Sequence, residues 1–230
     1  MAPTPSGTDP FQLASDEIHS WCARLDVPPE TSAGLDATLT CDERNRSARL
    51  RFERDRRRFV VAHGVLRDLL GRYLGTHPGQ IRFVSNAFGK PALSPEFGSR
   101  LKFNLSHSAD LALIAVAADA DVGVDLEYIR PQSDYAEIAR CFFSAAEVDD
   151  LSRVPSHLRS EAFLSCWTKK EAYVKARGEG LAIPLKSFSV PHLHGTWSLY
   201  GLQPAPGYIG ALAIEESGWR LTQRHWQTSV

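Results

Sequence analysis

No stretch of this chain approaches the roughly 20 consecutive apolar residues that a membrane-spanning helix needs. The opening segment, MAPTPSGTDPFQLASD, lacks the basic patch and apolar block of a secretory signal. The four cysteines, at 22, 41, 141 and 166, form no CxxC pair. In a chain of 230 residues they read as reduced thiols of a cytoplasmic protein. Neither sign of charge dominates. The net charge of −1 argues against a general binder of polyanions. Sequence identity between the two halves is also missing. Apolar residues are not scarce: they make up 43% of the chain, which excludes a disordered polymer and suffices for one large core or two small ones.

The charge is unevenly spread. From Arg44 to Arg58, RNRSARLRFERDRRR, eight arginines face two acids, Glu53 and Asp55. One reading is a solvated helix face with internal ion pairs. The other is a site for a phosphate-rich ligand, because the guanidinium fork suits phosphate oxygens. Helical spacing of Phe52, Phe59, Val60, Ala62, His63, Leu66, Leu69, Leu70 and Tyr73 predicts one helix over 43–74, ended by Gly75. IRFVSNAFGKPAL predicts two short strands around a turn. LKFNLSHSADLALIAVAADADVGVDLEYI predicts two more, split at DADVG. The next helical stretch breaks near Ser144, with Glu147 placed for a capping box. Ser156 is the expected cap of a helix reaching about Ala176, closed by Gly178. LKSFSV, TWSLYGL, YIGALAI and WRLTQRHW read as strands. Helix followed by strands therefore occurs twice. This predicts an α+β fold with antiparallel sheets, divided into 1–121 and 122–230.

Several clusters carry potential chemistry. In VGVDLEYI, strand alternation turns Asp125 and Glu127 to one face and Val124, Leu126 and Tyr128 to the other. That pair is either a polar edge or part of a hard-cation site. In WTKKEAYVKARGEG, stepping by four joins Phe163, Trp167, Glu171 and Lys175 into one helical row. A carboxylate above two rings is at least half buried, and an unpartnered buried carboxylate is costly. Together Asp125, Glu127 and Glu171 would make a Mg²⁺ cluster, with Lys170 and Lys175 flanking it as phosphate contacts. Alone, Lys90 in FGKP and Ser106 and His107 in FNLSHS each have an unremarkable surface or capping reading. His192 and His194, in PHLHG, would share a strand face but have no third ligand nearby.

In order along the chain, GKP, FNLSHS, GVDLE and WTKKEAYVKARGEGL resemble the motifs of the 4′-phosphopantetheinyl transferase superfamily. The similarity is to its Sfp-type members with the Trp-x-x-Lys-Glu-Ala variety of the last motif, and it spans roughly Arg44 to Val190. The resemblance implies a pseudo-twofold α+β fold of two similar subdomains with coenzyme A in the cleft between them. The basic coenzyme contacts would lie in the N-terminal half, and the metal acids and carrier docking in the C-terminal half. It implies Mg²⁺-dependent transfer of phosphopantetheine from coenzyme A to a serine of an apo acyl or peptidyl carrier protein, releasing adenosine 3′,5′-bisphosphate. Asp125, Glu127 and Glu171 match the family's metal-binding acids, and Lys175 its phosphate-contacting lysine. Lys90, Ser106 and His107 match coenzyme-binding positions. Arg58, Arg44 and Arg46 fall where the family places basic coenzyme contacts, and Glu147 matches a recurrent acid near the site. Glu171 is the candidate base, directly or through a water. The resemblance further implies a monomer. The competing readings are a Mg²⁺-dependent phosphohydrolase, a non-catalytic coenzyme-binding or docking module, and nucleic-acid binding through Arg44–Arg58.

Overall fold

The computed structural model describes residues 10–130, 135–190, 193 and 197–228. The first element is a strand that patterning does not reveal. In β1 (Glu17–Arg24) six consecutive residues are buried, so no inside–outside alternation marks it. Helix α1 (Pro29–Ala37) opens on proline, whose fixed φ suits a first turn. The single helix expected over 43–74 is two helices, α2 (Cys41–Ala48) and α3 (Glu53–Leu74). Thr40 and Glu43 form a capping box that starts α2 early. Phe52 is extended, and the Arg56 guanidinium takes up the Leu50 carbonyl that the break leaves open, at 2.8 Å. Gly75, left-handed at φ 62°, ends α3 as expected.

Strands β2 (Phe83–Ser85) and β3 (Pro91–Leu93) form the small expected hairpin. The next segment holds three strands where two were predicted: β4 (Leu101–Ser108), β5 (Leu111–Ala118) and β6 (Val122–Tyr128). The missed turn passes through Ala109 at φ 47°, a conformation that usually announces itself with glycine or asparagine. Helices α4 (Ala136–Phe142) and α5 (Ala145–Arg153) break at Ser144, which caps α5 through the predicted box with Glu147. Ser156 opens a short 3-10 turn, and α6 (Arg159–Arg177) begins after it and ends at Gly178. LKSFSV holds a 3-10 turn, Leu185–Ser187, behind Pro184, instead of a strand. Strands β7 (Trp197–Leu202), β8 (Tyr208–Glu215) and β9 (Arg220–His225) follow. His192 and His194 lie outside the described residues.

The fold is α+β, with two sheets face to face and a helix on each outer side. The first sheet runs β4-β5-β1-β9 and the second β6-β8-β7. All pairings are antiparallel except β1 with β9, which is parallel. β9 thus crosses the 121/122 division and joins the sheet of the N-terminal half. Ala112, Ile114 and Val116 of β5 pack toward α3 with Val61, Val65 and Leu69. Leu111, Leu113 and Ala115 pack the other way, against Val124, Leu126, Leu212 and Ile214 of the second sheet. This two-sided burial explains why LALIAVAA is apolar without alternation.

Helix α6 covers the outer face of the second sheet at unusually short range. A Cβ at Gly123 would collide with the Ala172 carbonyl oxygen and the Ala176 amide nitrogen. Neither atom belongs to a flexible side chain, so the helix would have to shift. Gly123→Ala is therefore expected to cost about 1–3 kcal/mol or more in urea unfolding. Gly201→Ala, whose Cβ meets nothing within 4 Å, is expected to leave stability unchanged or slightly raised.

Candidate active site

The two sheets meet edge to edge where β4 runs beside β6, and side chains take the place of backbone pairing there. Asn104 Oδ1 accepts the Val124 amide at 2.9 Å, and Ser108 Oγ accepts the Tyr128 amide at 3.1 Å. Ser106 Oγ donates to Asp125 Oδ1 at 3.0 Å, and Ser108 Oγ to Glu127 Oε2 at 3.0 Å. One polar row, every second residue of β4, thus serves the acid face of β6. Asp125 is buried at 5% exposure, and its Oδ2 has no hydrogen-bond partner among the described residues.

Helix α6 supplies the other wall. Phe163 is buried and stacks on Trp167, with centroids 5.8 Å apart. These rings anchor the row that continues to Glu171 and Lys175, both half-buried as the spacing predicted. Lys175 Nζ lies 2.5 Å from Asp125 Oδ1 and 3.1 Å from Ser106 Oγ. Burial raises the Glu171 carboxyl above the ordinary value, and the charges of Asp125 and Glu127 push the same way against Lys175. Glu127 is raised by burial and then by Asp125, with Ser108 and Lys175 opposing. The three acids therefore share one field.

Basic groups gather on the α3 side. His107, on the opposite face of β4 from Ser106, is held below the usual histidine range by desolvation, then by the charges of His63, Lys175 and Arg58. Arg58 is oriented by Asp110, with Nη2 2.5 Å from Oδ1, and by Asp55 at 3.7 Å. His63 stacks on Phe59 at 4.0 Å, and the Arg46 guanidinium lies over the same ring at 5.6 Å. Arg46, His63, His107, Arg58 and Lys175 thus form a chain of donors ending at the acids, an arrangement suited to phosphate oxygens.

Among the described residues, no three acids or histidines close into a ready-made metal cage. Mg²⁺ does not require one, because it is usually held by one or two carboxylates, waters and substrate phosphates. The donor set fits: three carboxylates supply hard oxygen, and the buried, unpartnered Asp125 Oδ2 is the atom a cation would satisfy.

A family model described as 4′-phosphopantetheinyl transferase, N-terminal, matches residues 29–119, and one for the 4′-phosphopantetheinyl transferase superfamily matches 121–205. The 4′-phosphopantetheinyl transferase HetI of Nostoc sp. is 41% identical over 221 residues, covering 90% of this chain and 92% of the relative. The chain belongs to the 4′-phosphopantetheinyl transferase superfamily. The Sfp enzyme of Bacillus subtilis is 32% identical over 152 residues, 66% of each chain. The psf-1 enzyme of Bacillus pumilus is 37% identical over 153 residues, 66% of this chain and 63% of the relative.

Within this transferase, three basic residues expected around the ligand are engaged elsewhere. Lys170 is not a phosphate contact. It is fully buried and donates to Glu147 Oε2 at 2.6 Å and to the Phe188 carbonyl at 2.7 Å, under the Phe188 ring. Its place is one position before Glu171, about 100° around the helix and inside the protein. Glu147 in turn accepts the Ser144 and Val190 amides, so this acid joins α5, α6 and the segment after it. Lys90 caps the end of α6, donating to the Ala176 carbonyl at 2.8 Å and the Val122 carbonyl at 3.3 Å. Arg44 reaches back to the Asp36 carbonyl of α1 at 2.7 Å. Sequence reasoning passed over Asn104, Ser108 and His63. The alternation N-x-S-x-S was a visible signal for the first two. Nothing local marked His63 as a neighbour of His107.

Removing one partner of the Lys170–Glu147 pair strands a buried charge. Lys170→Ala is expected to cost about 3–5 kcal/mol in denaturant unfolding, and Lys170→Met with Glu147→Gln to recover much of that loss.

Proposed function

We propose that this chain transfers the 4′-phosphopantetheine moiety of coenzyme A to a serine hydroxyl of an apo acyl or peptidyl carrier protein, with Mg²⁺, releasing adenosine 3′,5′-bisphosphate. The observation that carries the reading is the field shared by Asp125, Glu127 and Glu171 beside Lys175, at the end of a row of phosphate-suited donors. Arg46, Arg58 and His107 bind the charged end of the coenzyme. Ser106 and Lys175 orient the pyrophosphate. Asp125, Glu127 and Glu171 would hold the Mg²⁺, which when bound would supply positive charge to the reacting phosphates. Arg44 and Lys90 are further basic contacts for the coenzyme.

Positioning and charge stabilisation provide most of such a reaction. The serine Oγ bonds to the phosphorus that carries the pantetheine arm, and that phosphorus loses its bond to the bridging oxygen. The serine proton passes to Glu171, directly or through a water. A groove of about 540 Å³ beside Glu127, lined by Tyr128, Tyr135, Ile138 and Trp167, supports the approach of a protein carrier. The four free cysteines suit a cytoplasmic protein, and the reading is of a monomer.

Incubation with coenzyme A, Mg²⁺ and a panel of apo carriers, followed by mass spectrometry, is expected to show a carrier gaining one phosphopantetheine. Coenzyme breakdown with no gain of mass would instead indicate a phosphohydrolase. Glu171→Gln is expected to lower turnover by about 100-fold or more with unfolding unchanged; near-normal turnover removes it as the base. Arg58→Ala is expected to raise the KM for coenzyme A more than it lowers kcat. A change confined to stability would leave Arg58 as no more than a partner of Asp110.

A further inference from the structure

The hydroxyl of Ser108 is placed between two groups that together leave it no choice of direction. Its oxygen accepts the Tyr128 amide at 3.1 Å. A serine hydroxyl has a single proton to donate, and the remaining partner is Glu127 Oε2, at 3.0 Å. Because Tyr128 follows Glu127 directly, backbone and carboxylate of the same strand segment hold the hydroxyl from two sides. Two residues earlier, Ser106 repeats the pattern. Its oxygen accepts Lys175 Nζ at 3.1 Å, and its proton goes to Asp125 Oδ1 at 3.0 Å. The result at Asp125 is explicit: Oδ1 carries two hydrogen bonds, while Oδ2 is buried with none.

We infer that Ser108 is a positioning residue for the metal site, fixing the rotamer of Glu127 so that this acid and Asp125 act on one cation. The inference rests on the transferase reading above, through its assignment of Asp125 and Glu127 as metal acids. It follows from the geometry of the β4–β6 seam. Among the described residues β6 has no backbone partner on that edge, so the orientation of its acids is set by side chains of β4. Asn104 secures the backbone at Val124 and Ser108 secures it at Tyr128, one on each side of Asp125 and Glu127. Ser108 alone joins that backbone anchor to a carboxylate. Groups that orient metal ligands in this way typically change metal affinity by about 10–100-fold when removed.

The test uses the full chain and Mn²⁺ as probe, with free Mn²⁺ counted by electron paramagnetic resonance in the presence of coenzyme A. Ser108→Ala is expected to weaken Mn²⁺ binding by about 10–100-fold. The Mg²⁺ concentration for half-maximal transfer should rise with it, while the KM for coenzyme A at saturating Mg²⁺ stays put. Ser108→Thr keeps the hydroxyl and is expected to restore binding, which separates positioning from a loss of folding. Mn²⁺ binding by Ser108→Ala equal to wild type overturns the inference alone. So does an equal loss in the alanine and threonine variants. Wild-type protein that binds no Mn²⁺ overturns the metal assignment and this inference with it.

Discussion

The approach of α6 to β6, backbone against backbone at Gly123, is the contact on which the site depends. Ala172 and Ala176 are the helix residues that occupy the space a side chain at 123 would take. Glu171 and Lys175 each precede one of them, so they project about 100° around the helix, beside the strand instead of onto it. That offset brings Lys175 to 2.5 Å from Asp125 and puts Glu171 in the field of both strand acids. A larger residue at the contact would separate the two walls while leaving every acid in the sequence.

The edge between the sheets creates the second constraint. β4 and β6 lie side by side without sharing a backbone ladder, and buried amides need partners. Asn104 and Ser108 meet that need, and the row they belong to also delivers hydroxyls to Asp125 and Glu127. One polar row therefore both lets the two sheets join and orients the acids. Structural need and chemistry converge on Ser108, which serves the Tyr128 amide and Glu127 together.

Buried ion pairs hold the surrounding elements in place. Lys170 and Glu147 fix α5 and the segment after α6, while Arg67 and Glu43 fix α2 on α3, with Arg67 only 1% exposed. Burial alone would raise the Glu43 carboxyl, yet His63, Thr40 and Arg67 hold it at about 2. Each pair has further hydrogen bonds, including Arg67 to the Ile81 carbonyl at 3.0 Å. Without them, desolvation would outweigh the attraction. In both pairs a charged side chain is spent on orientation and is unavailable to a ligand.

The long helices α3 and α6, the helix break at Ser144, the polar strand face at Asp125 and Glu127, and the row from Phe163 to Lys175 were legible because local periodicity and capping residues write them directly into the chain, whereas α1 and the break between α2 and α3 were not. The family was legible for a related reason: four short motifs preserve spacing within single elements. β1 escaped notice because a strand buried on both faces has no alternation, and the turn at Ala109 because alanine there takes a glycine-like φ. Lys170 and Lys175 differ by five residues on one helix, and helical phase sends one inside and the other to the cleft. Whether a lysine meets a phosphate or a buried glutamate is decided by what packs against that face. Such partners lie 23 residues away for Lys170 and 50 for Lys175, beyond the reach of any local pattern, so only the tertiary structure assigns them.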